Sequence, residues 1–123
     1  MNDIALTDRE AEVMEVLWDR GPSVVAEVRG QIADKLAYTT VLTILRTLEA
    51  KGYVAHEEEG RVHRYYANVK QQAARNSALA HLKSKLFKGS TELLFAHLVS
   101  DQKLTRVEIA RLRKLLGDKS SKG

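Results

Sequence analysis

Short polar side chains and one arginine recur at helical spacing in one stretch of the sequence: Thr39, Thr40, Thr43, Arg46 and Thr47. The apolar residues between them follow the i, i+3, i+4, i+7 pattern of a helix with one buried stripe: Val41, Ile44, Leu45 and Leu48. A threonine offers a hydroxyl to bases or phosphates and a methyl group to thymine, and an arginine can pair with guanine or phosphate. The pattern predicts an outer helix face that either contacts DNA in the major groove or is only solvated.

A second set of basic residues follows Gly60, where Arg61 and Arg64 flank His63. Arginines on an exposed strand can contact backbone phosphates, which fix the position of a protein on DNA rather than its sequence preference. The acidic run Glu57–Glu59 precedes Gly60 and argues against a hairpin tip lying close to phosphate. We therefore expect phosphate contacts from the strand after Gly60.

Other chemistry finds little support in the sequence. It has no phosphate-binding loop, dinucleotide glycine pattern or nucleophile elbow, so we predict no enzyme, no catalytic residues and no cofactor. The four histidines fall in different predicted elements and are expected to form no close pair, so no metal site is predicted: His56, His63, His81 and His97.

Composition and charge place the chain among globular proteins. It has 123 residues, is 29% charged with a formal net charge of +4, and contains no cysteine. No secretory signal or membrane-spanning run is evident, so a reducing cytoplasm is the expected compartment. Charge is unevenly distributed: residues 1–20 hold six acidic and two basic residues, whereas residues 70–89 hold five basic residues and no acidic one. Such asymmetry suggests one face turned towards a polyanion.

The first 69 residues are predicted to form three helices and a hairpin. Thr7 and Glu10 match a capping box for the first helix, and Ser23 is expected to cap a short second helix. A third helix is predicted from Thr39 to Lys51 and is stopped by Gly52. Two strands are predicted at 53–56 and 61–67, with residues 57–60 as the turn. A helix, a turn, a second helix and then a hairpin, in this order, are typical of DNA-binding domains, in which such a hairpin is called the wing; here the wing is the hairpin over residues 53–67.

Residues 70–123 are predicted to form three further helices, over about 70–87, over 91–99 after a cap at Ser90, and from Thr105 with Glu108 as its capping partner. So short a unit buries little apolar surface by itself, which favours an obligate dimer. The alternative is that these helices pack back on the first half. The residues predicted to form the dimer interface are Leu79, Leu82, Leu86, Leu93, Leu94, Phe95, Leu98, Ile109, Leu112 and Leu116.

Three stretches resemble one known family, the penicillinase, methicillin-resistance and copper-transport repressors. These stretches are residues 37–52 with their Thr-Thr-Val-x-Thr core, residues 6–18 with Leu17-Trp18, and residues 60–65; residues 104–116 are similar to the end of the family's dimerisation region. The resemblance implies a mainly α fold with a small β-hairpin: a winged helix-turn-helix domain over 1–69 and a helical dimerisation region over 70–123.

The resemblance also implies a function. Family members are homodimeric repressors of palindromic operators built on TACA and TGTA half-sites. The residues that match the family's DNA-contacting positions are Thr39, Thr40, Thr43, Arg46 and Arg61. Thr47 and Arg64, on the same predicted surfaces, complete the candidate set.

The branch and the inducing signal are less well defined. Lack of cysteine excludes the copper-sensing branch. In the penicillinase branch a membrane sensor of β-lactams triggers cleavage in the dimerisation region, which makes a sensor protease a candidate partner and β-lactam-response genes candidate targets. The cleaved Asn-Phe pair corresponds here to His97-Leu98, so the cleavage itself stays open. Two alternative functions also remain, a protein-interaction module and a non-specific DNA-coating protein.

Overall fold

A computed structural model describes residues 3–100, 105–111 and 113–114. The elements are α1 (Asp8–Arg20), β1 (Ser23–Val24), α2 (Val25–Gln31), α3 (Tyr38–Ala50), β2 (Val54–Glu59), β3 (Val62–Ala67), α4 (Gln71–Leu86) and α5 (Thr91–Ser100). Contacts divide the chain into two units, Met1–Leu79 and Ala80–Gly123. In the part of the chain that is described, no helix is both long and apolar enough to cross a membrane.

The first helix begins with the predicted capping box. The Glu10 backbone N–H donates to the Thr7 hydroxyl at 3.2 Å, and the Thr7 N–H donates to the Glu10 carboxylate at 2.9 Å. The Lys51 ammonium, at the end of α3, lies 2.9 Å from both oxygens of this buried carboxylate. Burial alone raises the pKa of Glu10, but the hydrogen bonds from Thr7 and Lys51 outweigh it and lower the pKa below its ordinary value.

This lowered pKa predicts a pH-dependent contribution to stability. Because folding lowers the pKa of Glu10, its ionised form stabilises the fold above the ordinary value of 4.5, and that contribution is lost as pH falls through the folded-state pKa. Glu10→Gln should lower the free energy of unfolding by about 1 kcal/mol at neutral pH, with the difference shrinking in acid. Urea denaturation from neutral to acidic pH measures the free energy of unfolding of the wild type and of Glu10→Gln. Glu15→Gln, at an exposed position of α1, is the control. A difference that grew in acid would contradict the assignment.

The second helix starts differently from the sequence prediction. Ser23 does not cap it: this fully buried residue lies in β1, pairs with Tyr65 of β3, and donates its hydroxyl hydrogen to the Gly21 carbonyl at 2.8 Å. The carboxylate of Glu27 instead accepts the Val24 backbone N–H at 3.0 Å at the start of α2. The helix is thereby attached to the sheet, whose strand order is β1-β3-β2.

The core of the first unit forms around α3. Val41, Leu45 and Leu48 are completely buried, as the periodic pattern predicts, and pack with residues of α1, α2 and the sheet. Ile44, the fourth residue of the predicted stripe, is only partly buried. Trp18 is half-buried beside this cluster, and its indole N–H donates to the Val69 carbonyl at 2.9 Å. The inner face of α3 is therefore fixed by packing, which leaves the opposite face exposed.

The hairpin is longer than the sequence suggests. Residues 57–59, predicted as part of the turn, belong to β2 and pair with residues 62–64 of β3. The turn is reduced to Gly60 and Arg61, and Gly60 has a φ of 64° that favours glycine. The predicted turn was wrong because a polar, acidic segment can continue a strand when both of its faces are solvated.

The second unit is helical where it is described. Gly89, with a φ of 74°, follows the end of α4, and the Ser90 hydroxyl accepts the Leu93 N–H at 3.0 Å as the predicted cap of α5. Residues 106–111 are helical again, and Thr105 and Glu108 exchange the two hydrogen bonds of the predicted capping box. The boundary between the units falls within α4, whereas the functional division at residue 69 stays a prediction.

Candidate nucleic-acid interface

One face of α3 is exposed and carries every polar residue that the sequence singles out there: Thr39, Thr40, Thr43, Arg46 and Thr47. The Thr43 hydroxyl donates to the Thr39 carbonyl one turn earlier at 2.9 Å. It keeps acceptor capacity, and its methyl group stays on the surface. Short side chains over a rigid, well-packed helix allow the backbone to approach a groove closely.

Arg46 neighbours a residue of the core. Its guanidinium lies near the hydroxyl of Tyr65, a residue only 1% exposed. Burial raises the pKa of Tyr65, the Glu49 carboxylate raises it further, and Arg46 acts in the opposite direction. The sequence predicts Arg46 on this face but does not reveal that it lies near Tyr65.

The two wing arginines differ in their surroundings. Arg61 lies exposed in the hairpin turn, and no described side chain forms an ion pair with it. Arg64 is half-buried on β3 and binds Glu59 at 3.0 Å and Glu27 of α2 at 3.3 Å. Arg64 therefore links the wing to α2, whereas Arg61 is available to an external anion.

A groove of about 230 Å³ separates α3 from the wing. Tyr38 and Leu42 of α3 line one side, and Arg61, Val62 and His63 of the hairpin line another. Tyr38, at the first position of α3, is 49% exposed beside the threonine face. Sequence reasoning missed Tyr38 as a candidate contact because it counted the residue as a flank of the helix; a start of α3 at Tyr38 would have included it.

Two histidines of the wing lie together, so the prediction that the histidines form no close pair is wrong. The rings of His56 and His63 stack with centroids 4.3 Å apart and planes 12° from parallel. The hairpin register places Tyr65 opposite His56 and Glu58 opposite His63, so both histidines occupy one face of the sheet. The pair depends on this register, which histidine spacing alone does not give.

The residues predicted to form a dimer interface vary in exposure. In the single chain, five leucines are 39–67% exposed: Leu79, Leu82, Leu86, Leu93 and Leu98. Leu94 is buried, and Phe95 and Ile109 are half-buried. The predictions for Leu112 and Leu116 fall outside the described residues. Each of these leucines leaves apolar side-chain area in water in the single chain.

Comparison with known proteins identifies relatives across nearly the whole chain. The penicillinase repressor family model matches residues 6–118. The methicillin resistance regulatory protein MecI of Staphylococcus aureus is 23% identical over 118 residues, which cover 93% of this chain and 94% of that protein.

Solved structures show the same architecture. The Bacillus licheniformis BlaI monomeric form in complex with the blaP half-operator aligns with a TM-score of 0.50 and 30% identity, over 58% of this chain and 90% of that one. A MarR family protein of Bacillus stearothermophilus aligns with a TM-score of 0.53 at 15% identity, over 97% of this chain and 76% of that one, and supports the fold alone. The winged-helix fold predicted from the sequence is confirmed. The chain belongs to the penicillinase repressor family, a family of transcriptional repressors rather than of enzymes, and is a DNA-binding transcriptional repressor.

Proposed function

We propose that the chain represses transcription as a homodimer on a palindromic operator, with α3 of each protomer in the major groove and each wing on the backbone. The observation that carries this proposal is the exposed threonine and arginine face of α3, held in place by a fully buried stripe on its other side. The first turn of α3 holds no acidic residue, so its positive helix end can approach phosphate without repulsion.

Within α3 the proposed roles follow from chemistry and position. Thr39, Thr40, Thr43 and Thr47 present hydroxyl and methyl groups to base edges or nearby phosphates. Arg46 presents its guanidinium N–H groups on this exposed face and is the residue best suited to pair with a guanine.

In the wing, Arg61 is the proposed phosphate contact. Arg61 is exposed in the hairpin turn, so its side chain can reach the phosphate backbone of DNA. Arg64 was also predicted to contact DNA. Because it forms ion pairs with Glu27 and Glu59, a structural role beside the DNA interface suits it better. We propose that Arg64 chiefly positions the wing relative to α2. It would contact DNA only through the guanidinium N–H groups that its ion pairs do not engage.

The proposal also covers dimerisation and the way in which repression ends. The exposed leucines of α4 and α5 supply an apolar surface for a second copy, and the "half-operator" bound by the monomeric BlaI form fits one protomer per half-site. We also propose a cytoplasmic location and control of β-lactam-response or similar genes, which the family resemblance supports. A membrane sensor protease is the proposed partner that ends repression. His97 and Leu98, at the family's cleavage position, are both exposed on α5.

Binding to DNA upstream of the chain's own gene tests the operator proposal. Fluorescence anisotropy should show preference for a palindrome over the same bases in random order. Arg46→Ala should cost about 1–3 kcal/mol of specific binding if Arg46 pairs with a base, whereas Arg46→Lys keeps the charge but loses the planar fork. Thermal unfolding of both variants controls for a general loss of stability.

Each alternative function has its own outcome. Equal affinity for palindromic and random DNA would favour a non-specific coating protein over a repressor of one operator. No measurable DNA binding by a folded chain would favour a protein-interaction module, with the face of α3 meeting a protein.

A further inference from the structure

The wing contains a second cluster of side chains with chemistry that DNA binding does not use. His56 and Glu58 of β2 and His63 of β3 each offer a ligand atom, and these three atoms lie within 4.8 Å of one another. Two imidazoles and one carboxylate form a donor set that suits zinc and similar transition metals, whereas magnesium and calcium prefer oxygen ligands alone. We propose that His56, Glu58 and His63 form a binding site for a divalent transition metal ion, with zinc as the best match.

The geometry needs only small side-chain movements to close around an ion. His63 Nε2 and Glu58 Oε2 are 3.7 Å apart, and the two residues face each other directly across the hairpin. In a tetrahedral zinc site with bonds of about 2.0–2.2 Å, neighbouring ligand atoms lie roughly 3.3 Å apart. His63 and Glu58 are both exposed, so their side chains can rotate by the remaining distance without disturbing the core.

Glu49 of α3 supplies support behind the cluster. Its carboxylate oxygens lie 2.7 and 2.9 Å from Nδ1 of His56. This contact favours a proton on Nδ1 and leaves the lone pair of Nε2 for a metal, which is the arrangement by which carboxylates orient histidine ligands in zinc sites. Three protein ligands leave the fourth position to water, as expected of an exchangeable surface site.

Zinc titration of the full, untagged chain tests the site. In a buffer that does not bind metals, competition with a chromophoric chelator should give one zinc ion per chain, and excess magnesium should not displace it. His63→Gln should weaken binding by more than about 100-fold, and Glu49→Gln by about 10–100-fold, the range observed for outer-shell partners. Glu57→Gln is the matched control, since this neighbouring carboxylate lies on the other face of the sheet and should change the affinity less than twofold.

A spectroscopic measurement guards against loss of folding in a variant. Cobalt bound by the wild-type chain should show the visible d–d absorption of a tetrahedral site, and this absorption should disappear in His63→Gln while its far-UV circular dichroism is unchanged. Absence of stoichiometric zinc binding, or equal losses in Glu57→Gln and His63→Gln, would overturn the proposal. No DNA is present in the titration, so its outcome is independent of operator binding.

Discussion

Raising the salt concentration from 50 to 200 mM is expected to weaken operator binding by about 10²-fold or more. Each phosphate that the protein neutralises releases condensed counterions, so affinity falls steeply with salt when several phosphates are contacted. Two protomers, each with Arg61 and the positive end of α3 near the backbone, would together contact about four phosphates, and a slope of about −0.9 per phosphate then gives a loss of roughly 10²-fold over this salt range.

The slope of this salt dependence also distinguishes residues that contact phosphates from residues that contact bases. Arg61→Ala should reduce the slope of log affinity against log salt by about one for each protomer and should weaken binding to all sequences alike. Arg46→Ala should change the preference for the palindrome more than it changes the slope. Anisotropy titrations at several salt concentrations, on palindromic and random DNA, give both quantities. A shallow slope, corresponding to one or two released ions, would contradict the proposed backbone contacts.

A second large effect is expected when the apolar surface of α4 is made acidic. Leu82 and Leu86 are exposed one turn apart on this helix, so both would be buried if a second copy packs there. Leu82→Glu with Leu86→Glu would place two carboxylates in an apolar interface, where unpaired charge is strongly unfavourable. We expect a folded monomer and a loss of operator affinity of about 10²–10⁴-fold, since the two half-sites are then bound independently.

Sedimentation velocity at micromolar concentration measures whether the variant is a monomer, and anisotropy measures its affinity for the operator. Ser84→Glu is the control for added acidity on this helix, because Ser84 is exposed on the opposite side of α4 and the substitution adds one carboxylate there. A wild-type chain that sediments as a stable folded monomer would refute the dimer. A dimer that survives the double substitution would place the interface elsewhere.

The sequence predicts elements whose apolar residues repeat at helical spacing and whose ends carry capping residues. It identifies α3 and its exposed polar face because Val41, Leu45 and Leu48 repeat at helical spacing over about two turns. The boxes at Thr7 and Thr105 are equally local, since each depends on two residues three apart.

The features that sequence reasoning misses arise from pairing between distant residues. Strand β1 has only two residues and exists because it pairs with β3, so it has no periodic pattern to detect. The stacking of His56 on His63 depends on hairpin register, and the ion pair of Arg64 with Glu27 depends on how the wing meets α2. These contacts decide which wing arginine is available to DNA, which composition and spacing do not reveal.

The hydrogen bond from Trp18 to Val69 has a practical consequence. The chain contains one tryptophan, and this residue belongs to the first of the two units. Its emission therefore follows the surroundings of Trp18, including the hydrogen bond to Val69, whereas circular dichroism sums the helices of both units. An intrinsic fluorophore of the first unit can thus be followed beside circular dichroism, without any added label.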